Sequence, residues 1–257
     1  MMAVILAGGK GTRLRPFTMV IPKPLLPLGD VPILEVVLRQ LSAAGFGRAA
    51  MALGHMSHLF EASVGRGERF GMQIDYCIED EPLGTAGSLR LVDNLEDDFL
   101  VMNGDLLTTL DFAEVFATHR EQEAWGTIAC HRREVNIDYG VVESEPNGML
   151  VDYVEKPTIP YKVSMGINVL SKKCLDFIPP SGKFDMPELM LAMRRAGKRV
   201  VCYETDCYWQ DIGRFDDYQQ ASEDFVEDPH RFIPDLPLTP SETEGVGVGV
   251  PAERGNA

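Results

Sequence analysis

An apolar strand that runs straight into a glycine-rich, cation-bearing loop dominates this sequence. Residues 3–16 read Ala3-Val4-Ile5-Leu6-Ala7-Gly8-Gly9-Lys10-Gly11-Thr12-Arg13-Leu14-Arg15-Pro16, and Pro22-Lys23-Pro24 follows shortly after. The strand belongs in a core, so the loop opens at its carboxyl end. Three glycines let backbone N–H groups approach an anion closely and in succession. Residues 1–29 carry Lys10, Arg13, Arg15 and Lys23 and no acid. Such a loop suits a polyphosphate. It has neither the G-x-x-x-x-G-K-[ST] order of a P-loop nor G-x-G-x-x-G in register. A glycine-rich turn without a ligand is the plain alternative for Gly8–Gly11 alone. Arg13 and the Pro-Lys-Pro segment weigh against it.

The residues after this loop alternate between strand and helix signals. Strands are expected at Val4–Leu6, Arg48–Leu53, Gln73–Cys77 and Asp98–Met102. Helices are expected at Ile33–Ala44, Ser57–Val64 and Thr85–Leu95. Repeated β-α units imply a mostly parallel sheet with helices on both faces and right-handed crossovers. Ligands then belong at the carboxyl ends of the strands. Both the Gly8–Gly11 loop and Asn103-Gly104-Asp105 fall there. The second half changes character. Strands at Thr127–Arg132, Gly140–Glu143, Leu150–Glu155 and Ser164–Leu170 favour an antiparallel or mixed extension. A further strand, Val200–Glu204, and helices at Pro187–Ala196 and Phe215–Phe225 complete the expected order.

The 257 residues can bury a good core, and one domain over 1–234 is expected. Its first part, to about 110, carries the phosphate-type loop, and 111–225 carries the later strands. From about Asp235 the composition turns to Pro, Gly, Thr, Ser and Glu, which reads as a disordered tail. The net charge of −15 argues against a nucleic-acid partner but not against an anionic ligand held in a locally cationic pocket. The five cysteines show no metal-ligand spacing and are expected to be free thiols in a cytoplasmic protein. The chain opens on a core strand, which leaves no expected room for a targeting segment, and no apolar run reaches membrane-span length.

Carboxylates stand at two expected ligand-facing positions. Asp105 ends the strand Phe99-Leu100-Val101-Met102, and Asp211 lies in Tyr208-Trp209-Gln210-Asp211-Ile212-Gly213. Singly, each reads as a turn or capping residue. Together they can clamp Mg²⁺ on a triphosphate, because that ion takes one or two carboxylates plus phosphate oxygens. The loop Glu79-Asp80-Glu81-Pro82-Leu83-Gly84-Thr85-Ala86-Gly87 leaves backbone open to a flat ring, and Thr85 can read a base edge. Later, Asp138-Tyr139-Gly140, Glu155-Lys156-Pro157 and Gly166-Ile167-Asn168 offer a carboxylate and an amide for sugar hydroxyls and a lysine for a phosphate.

Taken in order, these motifs resemble the sugar-1-phosphate nucleotidyltransferases over about residues 2–225. The resemblance implies a Rossmann-like α/β fold: a mostly parallel mixed sheet flanked by helices, with a small sugar-binding β extension. It implies the reaction of a nucleoside triphosphate with a sugar 1-phosphate to give a nucleoside-diphospho-sugar and pyrophosphate. By the same resemblance, Arg13 and Lys23 are catalytic, and Asp105 and Asp211 hold Mg²⁺. Leu6, Gly8, Gly9, Gly11, Thr12, Pro82, Gly84 and Thr85 line the nucleotide. Gly140, Glu155, Lys156 and Asn168 hold the sugar phosphate. The Glu81-Pro82-Leu83-Gly84-Thr85-Ala86-Gly87 loop looks like the guanylyltransferase branch, whose sugars are mannose or manno-heptose 1-phosphate. A glucose-1-phosphate thymidylyl- or uridylyltransferase and a non-catalytic nucleotide-sugar-binding regulatory paralogue are the alternatives. Homo-oligomers are common among such proteins.

Overall fold

A computed structural model describes residues 1–234 of the chain. The expected tail from 235 onward lies outside the described residues. The main sheet has seven strands, and four of them alternate with helices in the first hundred residues. These are β1 (Met2–Leu6), β4 (Arg48–Leu53), β5 (Gln73–Ile78) and β6 (Asp98–Asn103). Between β1 and β4 lie the two-residue strands β2 (Pro27–Leu28) and β3 (Val31–Pro32), which pair antiparallel, and helix α1 (Ile33–Ala43). Helix α2 (Ser57–Val64) leads to β5, and the four-residue α3 (Gly84–Gly87) precedes β6.

The second half adds β7 (Leu106–Thr108), α4 (Phe112–Glu121), β8 (Gly126–Asn136), β9 (Val141–Ser144), β10 (Leu150–Val154) and β11 (Thr158–Ser171). It closes with α5 (Met186–Arg195), β12 (Val200–Thr205), β13 (Trp209–Asp211), α6 (Phe215–Glu227) and α7 (Pro229–Phe232). The sheet order is β12-β8-β11-β6-β1-β4-β5. Strands β5, β4, β1 and β6 are mutually parallel, and β12 is parallel to β8. Only β11 runs against both its neighbours. The mixed, mostly parallel α/β sheet expected from the sequence is therefore present, and β9 and β10 pair separately as a small antiparallel hairpin.

Alternation along the strands divides the core. Ala3, Ile5, Leu100 and Met102 face one side, where they pack with Leu38 and Leu41 of α1, Phe60 of α2 and Phe116 of α4. Met2, Val4, Phe99 and Val101 face the other, with Ala86, Leu89, Leu189 and Met193. A third cluster, Leu14, Leu26, Leu28, Ile33, Leu107, Ile212 and Phe225, lies under the cationic segment. It anchors that segment: Leu14 is buried although Arg13 and Arg15 on either side are exposed. Leu14→Ala is expected to destabilise the fold by about 2–4 kcal/mol in urea unfolding, through lost burial and a residual cavity.

One expectation is corrected here, and one helix is added. The helix read over Thr85–Leu95 stops early: α3 is followed by a tight 3-10 turn at Ser88–Leu91, and Asn94 adopts a positive φ of 52°. Gly84 and Gly87 hold little intrinsic helix preference. Helix α4 is an addition. It starts where the Asp111 carboxylate accepts the Glu114 N–H at 3.0 Å. Its inner face includes His119, buried and bonded to the Thr127 hydroxyl at 2.8 Å, so a polar residue fills an apolar position of the period.

Candidate active site

Strand order creates the cleft. From β1 the chain proceeds outward through β4 and β5, then returns to place β6 on the other side of β1. Helices before and after that reversal diverge, and a crevice opens at the carboxyl ends of β1 and β6. The Gly104 N–H donates to the Leu6 carbonyl at 3.0 Å, which locks the two strand ends together. A Cβ on Gly104 would stand 3.0 Å from an Ile5 methyl, a tight contact, so the close approach favours glycine. Asn103 and Asp105 consequently flank the mouth.

Three cavities meet there, and Leu6 lines all of them. The first, about 350 Å³, is walled by Gly8, Gly9, Glu79, Pro82, Gly84 and Asp185. The second, about 540 Å³, includes Asn168, Trp209 and Asp211. The third, about 170 Å³, is the cationic one, with Gly11, Arg13, Lys23, Asp105 and Gly213. Thr85 and Asn103 border both the first and the second, and Asp105 borders the first and the third.

The cationic cavity is shaped by local turns. Gly11 has φ +56°, and its carbonyl accepts the buried Thr18 hydroxyl at 2.7 Å. A Cβ on Gly11 would come within 2.9 Å of the Thr18 methyl. The chain then turns through Thr12–Leu14 and returns at Lys23–Leu25. Lys23 is buried, and its Nζ lies 2.5 Å from Asp105 Oδ2. Asp211 is brought to Asp105 by a pairing of two three-residue strands, in which Asp211 stands opposite Leu106 and the Ile212 N–H donates to the Asp105 carbonyl at 3.3 Å.

Charge in this corner is balanced by the chain itself. Desolvation pushes the Asp211 carboxyl above the ordinary aspartate range, and the neighbouring Asp105 carboxylate adds to the push. Lys23 and Arg13 pull it back. Two carboxylates this close favour a shared cation. Among the described residues no group of three or more His, Cys, Asp or Glu side chains could hold a metal alone. Two hard carboxylates with room for phosphate oxygens nevertheless fit Mg²⁺, which keeps part of its shell for substrate.

The first cavity holds a group that the sequence reading treated only as part of a loop. Glu79 follows β5, accepts the Leu83 N–H at 3.2 Å, and has its carboxyl pushed above the usual range by burial, against the lowering effect of that hydrogen bond. A signal was available: Glu79 ends a parallel strand just as Asp105 does. Lys183 and Asp185 also border this cavity and were not singled out.

Thr85 ties the loop to α5. Its N–H donates to Asp185 Oδ1 at 3.0 Å, and its hydroxyl accepts the Met186 N–H at 2.7 Å. Gly84 takes φ +81°, and a Cβ there would lie 2.6 Å from the Phe184 carbonyl oxygen. Gly84→Ala is expected to destabilise the protein by about 1–3 kcal/mol through backbone strain, read by thermal unfolding.

The remaining residues of the expected set divide. Asn168, 5% exposed, lines the second cavity. Gly140, Glu155 and Lys156 lie beside the β9–β10 hairpin: the Tyr153 hydroxyl donates to Glu155 Oε2 at 3.4 Å and leaves no space for a Cβ on Gly140. None of the three lines the cavity with Asn168. Thr12 and Lys10 are exposed at the loop surface.

Comparison with known proteins bears on this cleft. The model of the nucleotidyl transferase family matches residues 2–228. A UTP–glucose-1-phosphate uridylyltransferase of Synechocystis sp. is 32% identical over 96% of this chain and 70% of its own length. A mannose-1-phosphate guanylyltransferase of Mycobacterium tuberculosis is 33% identical over 87% of this chain and 64% of its own length. The chain thus spans about two thirds of the length of these relatives. The crystal structure of HddC from Yersinia pseudotuberculosis superposes with a TM-score of 0.68 at 27% identity, covering 87% of this chain and 99% of that one. A putative glucose-1-phosphate thymidylyltransferase from Bacillus anthracis shares the fold with a TM-score of 0.70, at 23% identity over 93% of this chain and 98% of that one. With a strand-end cleft of this kind and a family match over nearly all the described residues, the chain belongs to the nucleotidyl transferase family.

Proposed function

We propose that this protein transfers a nucleotidyl group from GTP to a manno-configured sugar 1-phosphate and releases pyrophosphate. One observation carries the reading: a cavity with an acceptor for a base edge, a cationic cavity and a larger polar-and-apolar cavity converge on Leu6, Asn103 and Asp105. That is the arrangement needed to hold a base, a triphosphate and a sugar phosphate with their reacting atoms together.

In this reading the base lies in the first cavity, against Gly8, Gly9 and Pro82. Gly11, Thr12 and Arg13 hold the β- and γ-phosphates, and Arg13 stabilises the charge that leaves as pyrophosphate. Lys23 carries three donors on one ammonium. It shares them between Asp105 and the phosphate at which the bond changes. Mg²⁺, held by Asp105 and Asp211, neutralises phosphate oxygens when bound. The sugar phosphate is its own nucleophile, so the protein positions two anions in line and offsets their repulsion. Asn168 orients the sugar. Glu155 and Lys156 meet its far side from the hairpin.

Glu79 supports GTP as the donor. Guanine shows two adjacent donors, N1–H and N2–H₂, which one carboxylate can accept together. Uracil and thymine show one N–H between two carbonyls, which a carboxylate repels. A related solved structure, of HddC at 28% identity and a TM-score of 0.63, is complexed with GMP-PN. Pyrophosphate release with GTP, UTP, dTTP and ATP, each against mannose 1-phosphate and glucose 1-phosphate, tests the reading. GTP with mannose 1-phosphate is expected to give the highest kcat/KM. A preference for UTP or dTTP with glucose 1-phosphate contradicts it.

A further inference from the structure

We infer that the sugar taken by the second cavity carries an apolar substituent, a deoxy methyl or a short acyl group, on the edge that faces α5. This rests on the nucleotidyl-transfer reading above. Strands supply most of this cavity's polar side chains: Asn103 from β6, Ser164 and Asn168 from β11, and Asp211 from β13; Thr85 of α3 adds a hydroxyl. The helix side is different. Met186, Pro187, Met190 and Leu191 come from the first turns of α5, and Ile128 from β8 joins them. None of these five side chains offers a hydrogen-bond donor or a strong acceptor.

The polar groups beside this wall are already engaged. The Thr85 hydroxyl accepts the Met186 N–H at 2.7 Å and donates to Asp185 Oδ1 at 3.4 Å. Glu188 Oε2 accepts the Asp185 N–H at 2.7 Å and completes the helix cap. Leu191 is 44% exposed, a branched aliphatic side chain at a solvent-reachable cavity wall, whereas Met190 beside it is 6% exposed. A sugar hydroxyl pressed against this wall loses water and gains no partner. A methyl or acyl group there displaces poorly held water from apolar surface, and two flexible thioethers can close around it. The cavity, about 540 Å³, leaves space beyond the ring for such a group.

The test is steady-state pyrophosphate release with saturating GTP and Mg²⁺ on three manno-configured sugars: mannose 1-phosphate, 6-deoxymannose 1-phosphate and N-acetylmannosamine 1-phosphate. At least one substituted sugar is expected to exceed mannose 1-phosphate in kcat/KM by roughly tenfold or more, the discrimination an apolar pocket gives to one small group. Whichever does so distinguishes the methyl from the acyl source. In Leu191→Gln, a change at an exposed helix position, that ratio is expected to shrink through a raised KM for the substituted sugar, with kcat kept. Equal or better turnover of mannose 1-phosphate overturns the inference and leaves nucleotidyl transfer standing. No release with any of the three, nor with glucose 1-phosphate, overturns the parent reading and this one with it.

Discussion

Asp105→Asn is expected to lower kcat/KM for pyrophosphate release by about 10³-fold or more, equivalent to about 4 kcal/mol of lost transition-state stabilisation. The reason is local. Asp105 is the point where the cationic cavity meets the first one, and its carboxylate faces both Lys23 and Asp211. Asparagine keeps the shape and one acceptor for the Lys23 ammonium, so the fold persists and thermal unfolding checks that it does. The lost charge has two consequences. Asp211 sheds its like-charged neighbour and titrates closer to an ordinary aspartate. A cation in the corner loses one of its two carboxylates, and raising Mg²⁺ tenfold is expected to recover little of the activity. Retained turnover in the folded variant, at any Mg²⁺ concentration, would remove the metal clamp from the mechanism.

Glu79→Gln is expected to shift nucleotide preference. With GTP, kcat/KM should fall by about 10²-fold, because an amide oxygen replaces a charged acceptor and the amide N–H₂ opposes the guanine donors. With UTP or dTTP the same substitution should raise it, since an amide pairs with the donor–acceptor edge of a pyrimidine. A pH effect accompanies this. The carboxyl must be ionised to accept both guanine donors, and its burial raises the pH at which it takes up a proton. As pH falls, KM for GTP in the wild-type protein therefore rises sooner than an ordinary glutamate would cause. In Glu79→Gln that rise disappears. Unchanged preference in the variant would take the base away from Glu79.

Much of the fold was written locally. The strand Arg48–Leu53 and the helix Ser57–Val64 lie where apolar periodicity puts them. The phosphate-type loop and the carboxylate after β6 were legible because a parallel strand ends at each. What escaped reading depends on distant partners. Strands β7 and β13 have three residues each, too few for any periodicity, yet their pairing sets Asp211 beside Asp105 across about a hundred positions. The bulge in β11 at Gly166, with φ +72° and Asn103 packed where a Cβ would be, likewise has meaning only in three dimensions. Glu79 was visible as a residue, but its role as a cavity wall follows from the Leu83 turn that folds over it. Gly140 and Glu155 flank the β9–β10 hairpin and do not line the cavity that includes Asn168, a placement that strand signals alone do not encode.

In the proposed reaction this cleft joins a nucleotide to a sugar phosphate by one in-line displacement at the α-phosphorus. The most direct measurement is ³¹P NMR of the protein with Mg²⁺, mannose 1-phosphate and GTP carrying a chiral α-thiophosphate. Equal amounts of pyrophosphate and of a sugar nucleotide whose α-phosphorus is inverted are expected. Retention of configuration, or pyrophosphate accompanied by free nucleoside monophosphate and no sugar nucleotide, would contradict the proposed reaction.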